Sequence, residues 1–146
     1  MNVLDIFSNT ALISAIVAWA LAQFLKIFIY WYKDKKFSFK KITAAGGMPS
    51  SHTALMAALA LSVAERSGFG SVEFAIAACV MALTMYDAAG VRREAGRHAS
   101  MLNTIADQME EQTGELVSDD LKEVIGHTPF EVFGGLLVGI LVALAI

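Results

Sequence analysis

The chain has few charged residues, a single cysteine and no internal repeat. Charged residues make up 17% of its 146 residues, whereas a soluble domain of ordinary composition carries about a quarter. Hydrophobic residues make up 56% of the chain, and the mean hydropathy is +0.58. This apolar surface is more than a core can bury in a chain of this length, so we expect lipid to cover the rest. The lone Cys79 excludes an intrachain disulfide framework, and we expect no nucleic-acid partner. These features predict one membrane domain over residues 1–146.

Four apolar segments approach the length of about 20 residues that a helix needs to cross a hydrocarbon layer of about 30 Å. The predicted spans cover residues 9–31, 50–64, 72–87 and 129–146. The N-terminus has no basic start and no nearby small-residue cleavage site, so we expect the first span to be retained. Glycines at 134, 135 and 139 would let helices approach the fourth span closely.

A polar insert, residues 90–127, separates the third and fourth spans. Apolar residues recur every three or four positions over residues 91–109, with charges opposite, which predicts an amphipathic helix on the membrane or on the other helices. A short second helix is predicted at residues 119–125, with Gly126 at its end. The expected fold class is therefore all-α: an integral membrane bundle of about four transmembrane helices, plus a cytoplasmic amphipathic helix and a short helix.

The predicted topology brings every polar cluster to one face. GGMPSSH starts the second span, YDAAGVRR follows the third, and GHTPFE starts the fourth. Of the 11 Lys and Arg residues, all except Arg66 fall on or just inside this face. The positive-inside rule makes it cytoplasmic, with both termini on the opposite side, and we expect the cell membrane as the location.

One histidine stands in the first turn of the second span. His52 follows Ser50 and Ser51, either of which could cap this helix by accepting a backbone N–H bond. The free N–H groups and the dipole at such a terminus attract anions. The serines alone are explained by capping, whereas a histidine at this position is less easily explained by structure.

A second histidine precedes the fourth span. Thr128, Pro129 and Glu131 fit a capping box with proline at the first helical position. This is a full structural account of Glu131, but its carboxylate could also accept a hydrogen bond from His127, four residues earlier, and fix the imidazole tautomer. Both interpretations are open from the sequence.

Several charged residues could complete a site on the same face. Lys26 lies about one and a half turns inside the first span, where a charge is costly and therefore a functional candidate unless it snorkels to the interface. Asp87, Arg92 and Arg93 follow the third span. The arginines either anchor the interface or enter the site, and Arg92 is preferred because Arg93 fits the solvent face of the amphipathic helix.

Two histidines with converging cations indicate phosphoryl chemistry. One imidazole could attack phosphorus while the other protonates the leaving oxygen, and cations with helix N-termini would stabilise the phosphoryl oxygens. The rival is a metal site built from His52, His127, Asp87 and Glu131. It ranks lower because these residues show no tight ligand-spacing motif.

The segments AQFLK, GGMPSSH, YDAAGVRR, LN at 102–103 and LKEVIGHTPFEVFGG resemble the divergent PAP2 family, which is related to type 2 phosphatidic acid phosphatases and vanadium haloperoxidases. In that superfamily a Pro-Ser-Gly-His motif supplies a general acid, a place that His52 takes here, with Ser51 for the glycine. A later histidine is the nucleophile, held by an aspartate four residues on; His127 and Glu131 match these positions. The resemblance implies a phosphohistidine on His127, no metal or other cofactor, and a phospholipid or prenyl-phosphate-like substrate.

The sequence departs from the superfamily pattern in its phosphate-binding residues. No early lysine with an Arg-Pro pair precedes GGMPSSH, and Leu-Lys replaces the Ser-Arg before the nucleophile, which leaves Lys122 as the nearest cation. A lysine is a point charge where an arginine offers a planar fork. We expect Lys26, Arg92 and Lys122, together with Ser50 and Ser51, to bind phosphate.

Three functions are open at this point. The first is a phosphatase acting on a lipid phosphate or a related phosphomonoester at the cytoplasmic face. The second is a non-catalytic membrane protein that binds anionic lipid headgroups or assembles with partners, a homo-oligomer included. The third is a small transporter, which is disfavoured because the polar residues cluster at one end of the predicted spans.

Overall fold

A computed structural model describes residues 3–34, 46–114, 121 and 126–146, and every regular element in these ranges is helical. A short 3-10 helix, Val3–Ser8, leads into the first long helix. The α-helices are α1 (Thr10–Asp34), α2 (Ser51–Ser67), α3 (Val72–Tyr86), α4 (Arg92–Thr113) and α5 (Pro129–Ala145). A five-residue π-helix, Asp87–Val91, joins α3 to α4 and is called the π segment below. The expected all-α class is confirmed for the described residues.

Two helical stretches are long and apolar enough to cross a membrane. They are Thr10–Tyr32, with a hydropathy of 2.1, and a window within Val72–Thr113, with a hydropathy of 1.7. Only 28% and 11% of these windows are buried inside the protein, so their apolar side chains mostly face outward, as lipid-facing side chains do. Helices α2 and α5 have 17 residues each and rise about 26 Å at 1.5 Å per residue, slightly less than the hydrocarbon layer. Two spans are thus supported by length and composition, while four remain a prediction.

Helix α2 lies at the centre of the bundle and packs against α1, α3 and α5. The core between α1, α2 and α5 consists of small side chains. Gly135 and Gly139 of α5 press against α2: a Cβ on Gly135 would collide with the Ser50 carbonyl, and one on Gly139 would lie 2.6 Å from Ala57 Cβ. The close approach predicted from these glycines is confirmed, and it brings the N-termini of α2 and α5 together.

Helix α3 continues through the π segment into α4, so that Val72–Thr113 forms one helical run of 42 residues. No proline occurs in this run to interrupt the hydrogen-bond ladder, and the chain absorbs an extra residue as a π-turn instead. The amphipathic helix predicted over residues 91–109 is present as α4, which begins at Arg92, while its continuity with the third span is a feature that the sequence did not indicate.

Helix α4 leaves the bundle, and its contacts are mainly with the π segment. Its buried residues are Gly96 and Ala99, while Met101, Ile105 and Met109 are exposed. An apolar surface of this kind fits a helix lying on the membrane, which stays a prediction. The short helix predicted at 119–125 lies outside the described residues, apart from the single position 121.

Candidate active site

The predicted capping box at the start of α5 is confirmed. The Thr128 hydroxyl oxygen accepts the Glu131 N–H at 3.3 Å, and Glu131 Oε2 accepts the Thr128 N–H at 2.8 Å. Pro129 occupies the first helical position, where its missing N–H costs nothing. This cap holds the Glu131 carboxylate next to His127, the residue that precedes Thr128.

His127 is only 3% exposed. Its Nδ1 lies 3.4 Å from Glu131 Oε2, beyond the usual range of an N–H···O hydrogen bond, and makes no hydrogen bond in the described part of the chain. The nearby carboxylate favours the tautomer with its proton on Nδ1. This tautomer leaves the Nε2 lone pair free for a ligand. The expected pairing of His127 with Glu131 is thus present, though loosely.

The backbone of the His127 loop docks on the π segment. The His127 N–H donates to the Ala88 carbonyl at 2.9 Å. Gly126 has a φ of +103°, and a Cβ on it would lie 2.6 Å from the backbone nitrogen of Arg93 and 2.8 Å from the carbonyl carbon of Arg92. The loop therefore approaches the helix backbone more closely than any side chain allows. From the sequence, Gly126 was expected only to end a short helix, and no pattern indicated a role for Ala88.

The π segment also forms the charge pair on this side of the site. Within it the Arg92 N–H bonds to the Asp87 carbonyl, an i→i+5 bond that brings two residues five positions apart one above the other. The Arg92 Nε atom donates to Asp87 Oδ2 at 2.6 Å. In a regular α-helix, with 3.6 residues per turn, these side chains would diverge. The site candidates Asp87 and Arg92 are thus brought together.

Both histidines line one cavity of about 340 Å³. Its polar lining comes from His52, Thr84, Asp87, Arg92 and His127, and its apolar wall comes from α3. His52 projects from the first turn of α2 and is exposed, whereas His127 is buried behind it. Both imidazoles thus line one cavity, which is called the His52 cavity below, and its use as a catalytic site stays a prediction.

The serines before His52 serve the helix start. Ser50 caps α2, its Oγ accepting the Thr53 N–H at 3.4 Å and the Thr53 hydroxyl at 3.0 Å, while its own N–H donates to the Glu131 carbonyl at 3.0 Å. Ser50 and Ser51 are both buried, and neither lines the His52 cavity. Their predicted contact with phosphate stays a prediction, and their observed role is to fasten α2 to α5.

Lys26 of α1 is 2% exposed. Its ammonium interacts electrostatically with Glu131 and with both histidines, without a direct ion pair among the residues that the structure describes. Burial lowers the pKa of His127 below its usual range, and the Lys26 charge lowers it further, while Glu131 opposes the shift. A neutral His127 imidazole at neutral pH is the form that a nucleophile requires. Lys122, the other predicted lysine of the site, lies outside the described residues.

A second cavity, of about 460 Å³, lies on the α4 side of His127. It is lined by Tyr30, Gly47, Arg93, Gly96, Arg97, Ser100, Gly126, His127, Thr128 and Glu131. Arg93 is exposed, as expected from its place on the solvent face of α4, and it also lines this cavity. Gly47 has a φ of +94°, and a Cβ on it would collide with the Tyr30 hydroxyl group, so only glycine fits against this tyrosine.

The rival metal site is not assembled. Within the described ranges, no group of three or more His, Cys, Asp or Glu side chains is arranged to hold a metal ion. Asp87 is instead paired with Arg92, and Glu131 is engaged in the helix cap. The four proposed ligands therefore divide between separate interactions.

Comparison with known proteins gives one family and one relative. Residues 7–142 match the divergent PAP2 family. The chain is 36% identical to the uncharacterized membrane protein YuiD of Bacillus subtilis (strain 168) over 153 residues, covering 98% of this chain and 97% of the relative. No solved structure matches the chain. With nearly its whole length matched and its apolar helices facing outward, the chain belongs to the divergent PAP2 family of membrane proteins.

Proposed function

We propose that this protein is a membrane phosphatase that hydrolyses a lipid phosphate or a related phosphomonoester through a phosphohistidine on His127. The observation that carries the proposal is the His52 cavity, which both imidazoles and Arg92 line at the starts of two helices. Membership of the divergent PAP2 family supports a phosphatase-related role. The buried Lys26 adds a positive charge that acts electrostatically on both histidines.

The reaction needs one nucleophile and one proton donor. His127 Nε2 attacks phosphorus, the ester P–O bond breaks, and the leaving oxygen takes a proton from the His52 imidazolium. Water then attacks the phosphohistidine, gives its proton to His52, and releases inorganic phosphate with neutral His127. Glu131 stabilises the positive charge that develops on the His127 ring, since its carboxylate lies 3.4 Å from Nδ1.

Cations and helix termini would hold the phosphoryl oxygens. The N-termini of α2 and α5 present free N–H groups near the two histidines, and such termini bind anions. Arg92 offers a guanidinium fork, although Asp87 occupies its Nε edge. We propose Lys26, Arg92 and Lys122 as the phosphate-binding cations, with Asp87 holding Arg92 in place.

We place the site at the cytoplasmic interface of a four-span protein, with both termini on the opposite side. The distribution of lysine and arginine in the sequence supports this orientation. A site at the interface suits a lipid substrate, because the headgroup stays in water while its tails remain in the bilayer.

The test is phosphate release by the purified full chain in lipid nanodiscs, without added metal. We expect vanadate-sensitive turnover of at least one lipid phosphate, abolished in His127→Asn and strongly reduced in His52→Asn. The matched control is His98→Asn, because His98 is exposed on α4 and lines neither cavity. Well-folded protein with no turnover across a panel of lipid phosphates would refute the proposal.

A second function is favoured by one observation. Asp87 already occupies one edge of Arg92, with a 2.6 Å contact, which is an arrangement that fits holding a headgroup more than activating one. In that case the protein binds anionic membrane lipids without hydrolysing them. Native mass spectrometry would then show a retained phospholipid that survives in His127→Asn, together with the absence of phosphate release.

A further inference from the structure

We propose that the second cavity binds a second phosphoryl group of the same substrate, so that the preferred substrate class carries two phosphoryl groups. This inference rests on the proposed function, whose chemistry takes place in the His52 cavity. The two cavities share His127 in their walls. A ligand whose two phosphoryl groups are linked by a few bonds can therefore reach both cavities around one imidazole ring.

Two arginines give the second cavity its charge. Arg93 and Arg97 are four residues apart on α4 and both line the cavity, as i, i+4 residues on one helix face do. Arg93 has no direct ion pair in the part of the chain that the structure describes. Arg97 is held by Glu94 at 2.9 Å through one Nη atom, and both partners of that pair are exposed. The guanidinium edges that remain are suited to bidentate contact with phosphate oxygens.

The remaining lining fits the same ligand. Ser100 and Thr128 add hydroxyl groups, which can donate to an anion. The only carboxylate in the lining is that of Glu131, and it accepts the Thr128 N–H and faces His127. Glu94 pairs with Arg97 from outside the lining, so the two guanidinium groups face two carboxylates that both have contacts of their own. The guanidinium edges that these carboxylates leave open are the donors that select an anionic group over a neutral one.

The two cavities therefore have different roles. In the His52 cavity, the histidines and Arg92 act on the phosphoryl group that is transferred. In the second cavity, Arg93 and Arg97 bind a group that does not react. A substrate with a single phosphoryl group fills the first cavity only, and loses the contribution of both α4 arginines to binding.

The experiment compares ligands with one and two phosphoryl groups. Binding of methylphosphonate and of methylenediphosphonate to the detergent-solubilised full chain is measured by calorimetry, in wild type and in the Arg93→Gln/Arg97→Gln double variant. We expect wild type to bind the diphosphonate at least about tenfold more tightly, since a hydrogen bond to a charged group contributes enough for about one decade of affinity. The double variant should lose this preference and keep its affinity for methylphosphonate. Arg66→Gln, at the other end of the bundle, is the matched control and should keep the preference.

A second arm distinguishes a lipid from a soluble ligand. In nanodiscs, prenyl monophosphate and prenyl diphosphate compete with methylenediphosphonate. If the prenyl diphosphate displaces methylenediphosphonate at a lower concentration than the prenyl monophosphate does, in wild type but not in the double variant, the substrate is a lipid that carries both groups. If neither lipid displaces the bound methylenediphosphonate, the substrate is a soluble compound of the same class.

The outcomes separate this inference from the proposed function. Equal binding of the two phosphonates by wild type, or a preference that persists in the double variant, overturns the inference even if lipid phosphate is hydrolysed. A preference that depends on the arginines supports the inference even if no hydrolysis occurs, and then the proposed phosphatase reaction alone fails.

Discussion

Replacing Gly126 with alanine should misplace the nucleophile without unfolding the protein. The new Cβ would lie 2.6 Å from the Arg93 backbone nitrogen, and restoring the 3.4 Å of ordinary contact requires the loop to move by about 0.8 Å. The atoms that it meets belong to a helix backbone, which yields less than a flexible side chain. A shift of about 1 Å in a catalytic group costs about 10²-fold in rate, so we expect kcat for lipid phosphate to fall by about that factor.

Gly126→Ala should also lower the stability of the fold. A positive φ costs a residue with a side chain about 1–3 kcal/mol, and moving the loop lengthens the His127 N–H bond to Ala88, which contributes about 1 kcal/mol. The matched controls are Gly68→Ala and Gly114→Ala, whose φ values are +85° and +70° but where a Cβ meets no atom within 4 Å.

The controls separate strain from misplacement. They should show the loss of stability expected from a positive φ, measured by thermal unfolding in detergent, while kcat stays at the wild-type value. Folded Gly126→Ala protein with wild-type kcat would refute the idea that the helix backbone sets the position of His127. An equal loss of kcat in all three variants would refute it as well, because strain alone would then be sufficient.

Three further predictions follow from the same contacts. Lys26→Gln removes a charge that lowers the pKa of His127, so this pKa should rise and the acid limb of the kcat/KM profile should move to higher pH; an unmoved limb would contradict the reasoning. Gly135→Ala forces α5 away from α2 and should cost about 1–3 kcal/mol in thermal unfolding, whereas Gly70→Ala, in open space, should unfold more nearly as wild type does. Glu131→Gln should keep the helix cap but lower kcat by about 10²–10⁴-fold, because the charge beside the imidazole is lost. Glu131→Ala should in addition lower the free energy of unfolding by about 1 kcal/mol, because the cap is lost as well. A fully active Glu131→Gln would exclude the carboxylate charge from the mechanism.

Local signals in the sequence were sufficient for the helix starts. Ser50 and Thr128 cap α2 and α5 through contacts with the next three residues, so each pattern contains all the information that the cap needs. The order of the spans then placed both histidines on one face of the bundle. The packing of α5 on α2 that brings the two helix starts together is a tertiary contact, and the cavity that both histidines line depends on it.

The π segment could not be predicted, because no local pattern specifies it. The residues of Asp87–Val91 are compatible with a regular α-helix or with a break before Gly90. The extra residue is stabilised by the distant Gly126–His127 loop, whose N–H bonds to the Ala88 carbonyl. The second cavity depends on the same docking, since it lies between that loop and α4. Contacts between segments far apart in the chain decide both features.

The serines before His52 show how far a local pattern reaches. Ser50 and Ser51 precede a histidine at a helix N-terminus, which is equally compatible with a cap and with an anion site. The structure shows the capping use, because the Ser50 hydroxyl is buried and hydrogen-bonded to Thr53, while contact of either serine with phosphate stays a prediction. Burial depends on the close packing of glycines in α5, so it becomes visible only when the helices are assembled.

The Glu131 carboxylate closes the capping box and also lies beside His127, so the two interpretations of this residue that were open from the sequence hold together. A carboxylate oxygen has more than one lone pair, and Glu131 Oε2 uses them toward the Thr128 N–H at 2.8 Å and toward His127 Nδ1 at 3.4 Å. A capping box requires a side chain at the third helical position that is long enough to reach back to the cap, which glutamate is. Because His127 directly precedes the cap, the carboxylate that closes the box necessarily lies beside the imidazole. The length of the glutamate side chain thus lets one residue hold the start of α5 and contact the proposed nucleophile at the same time.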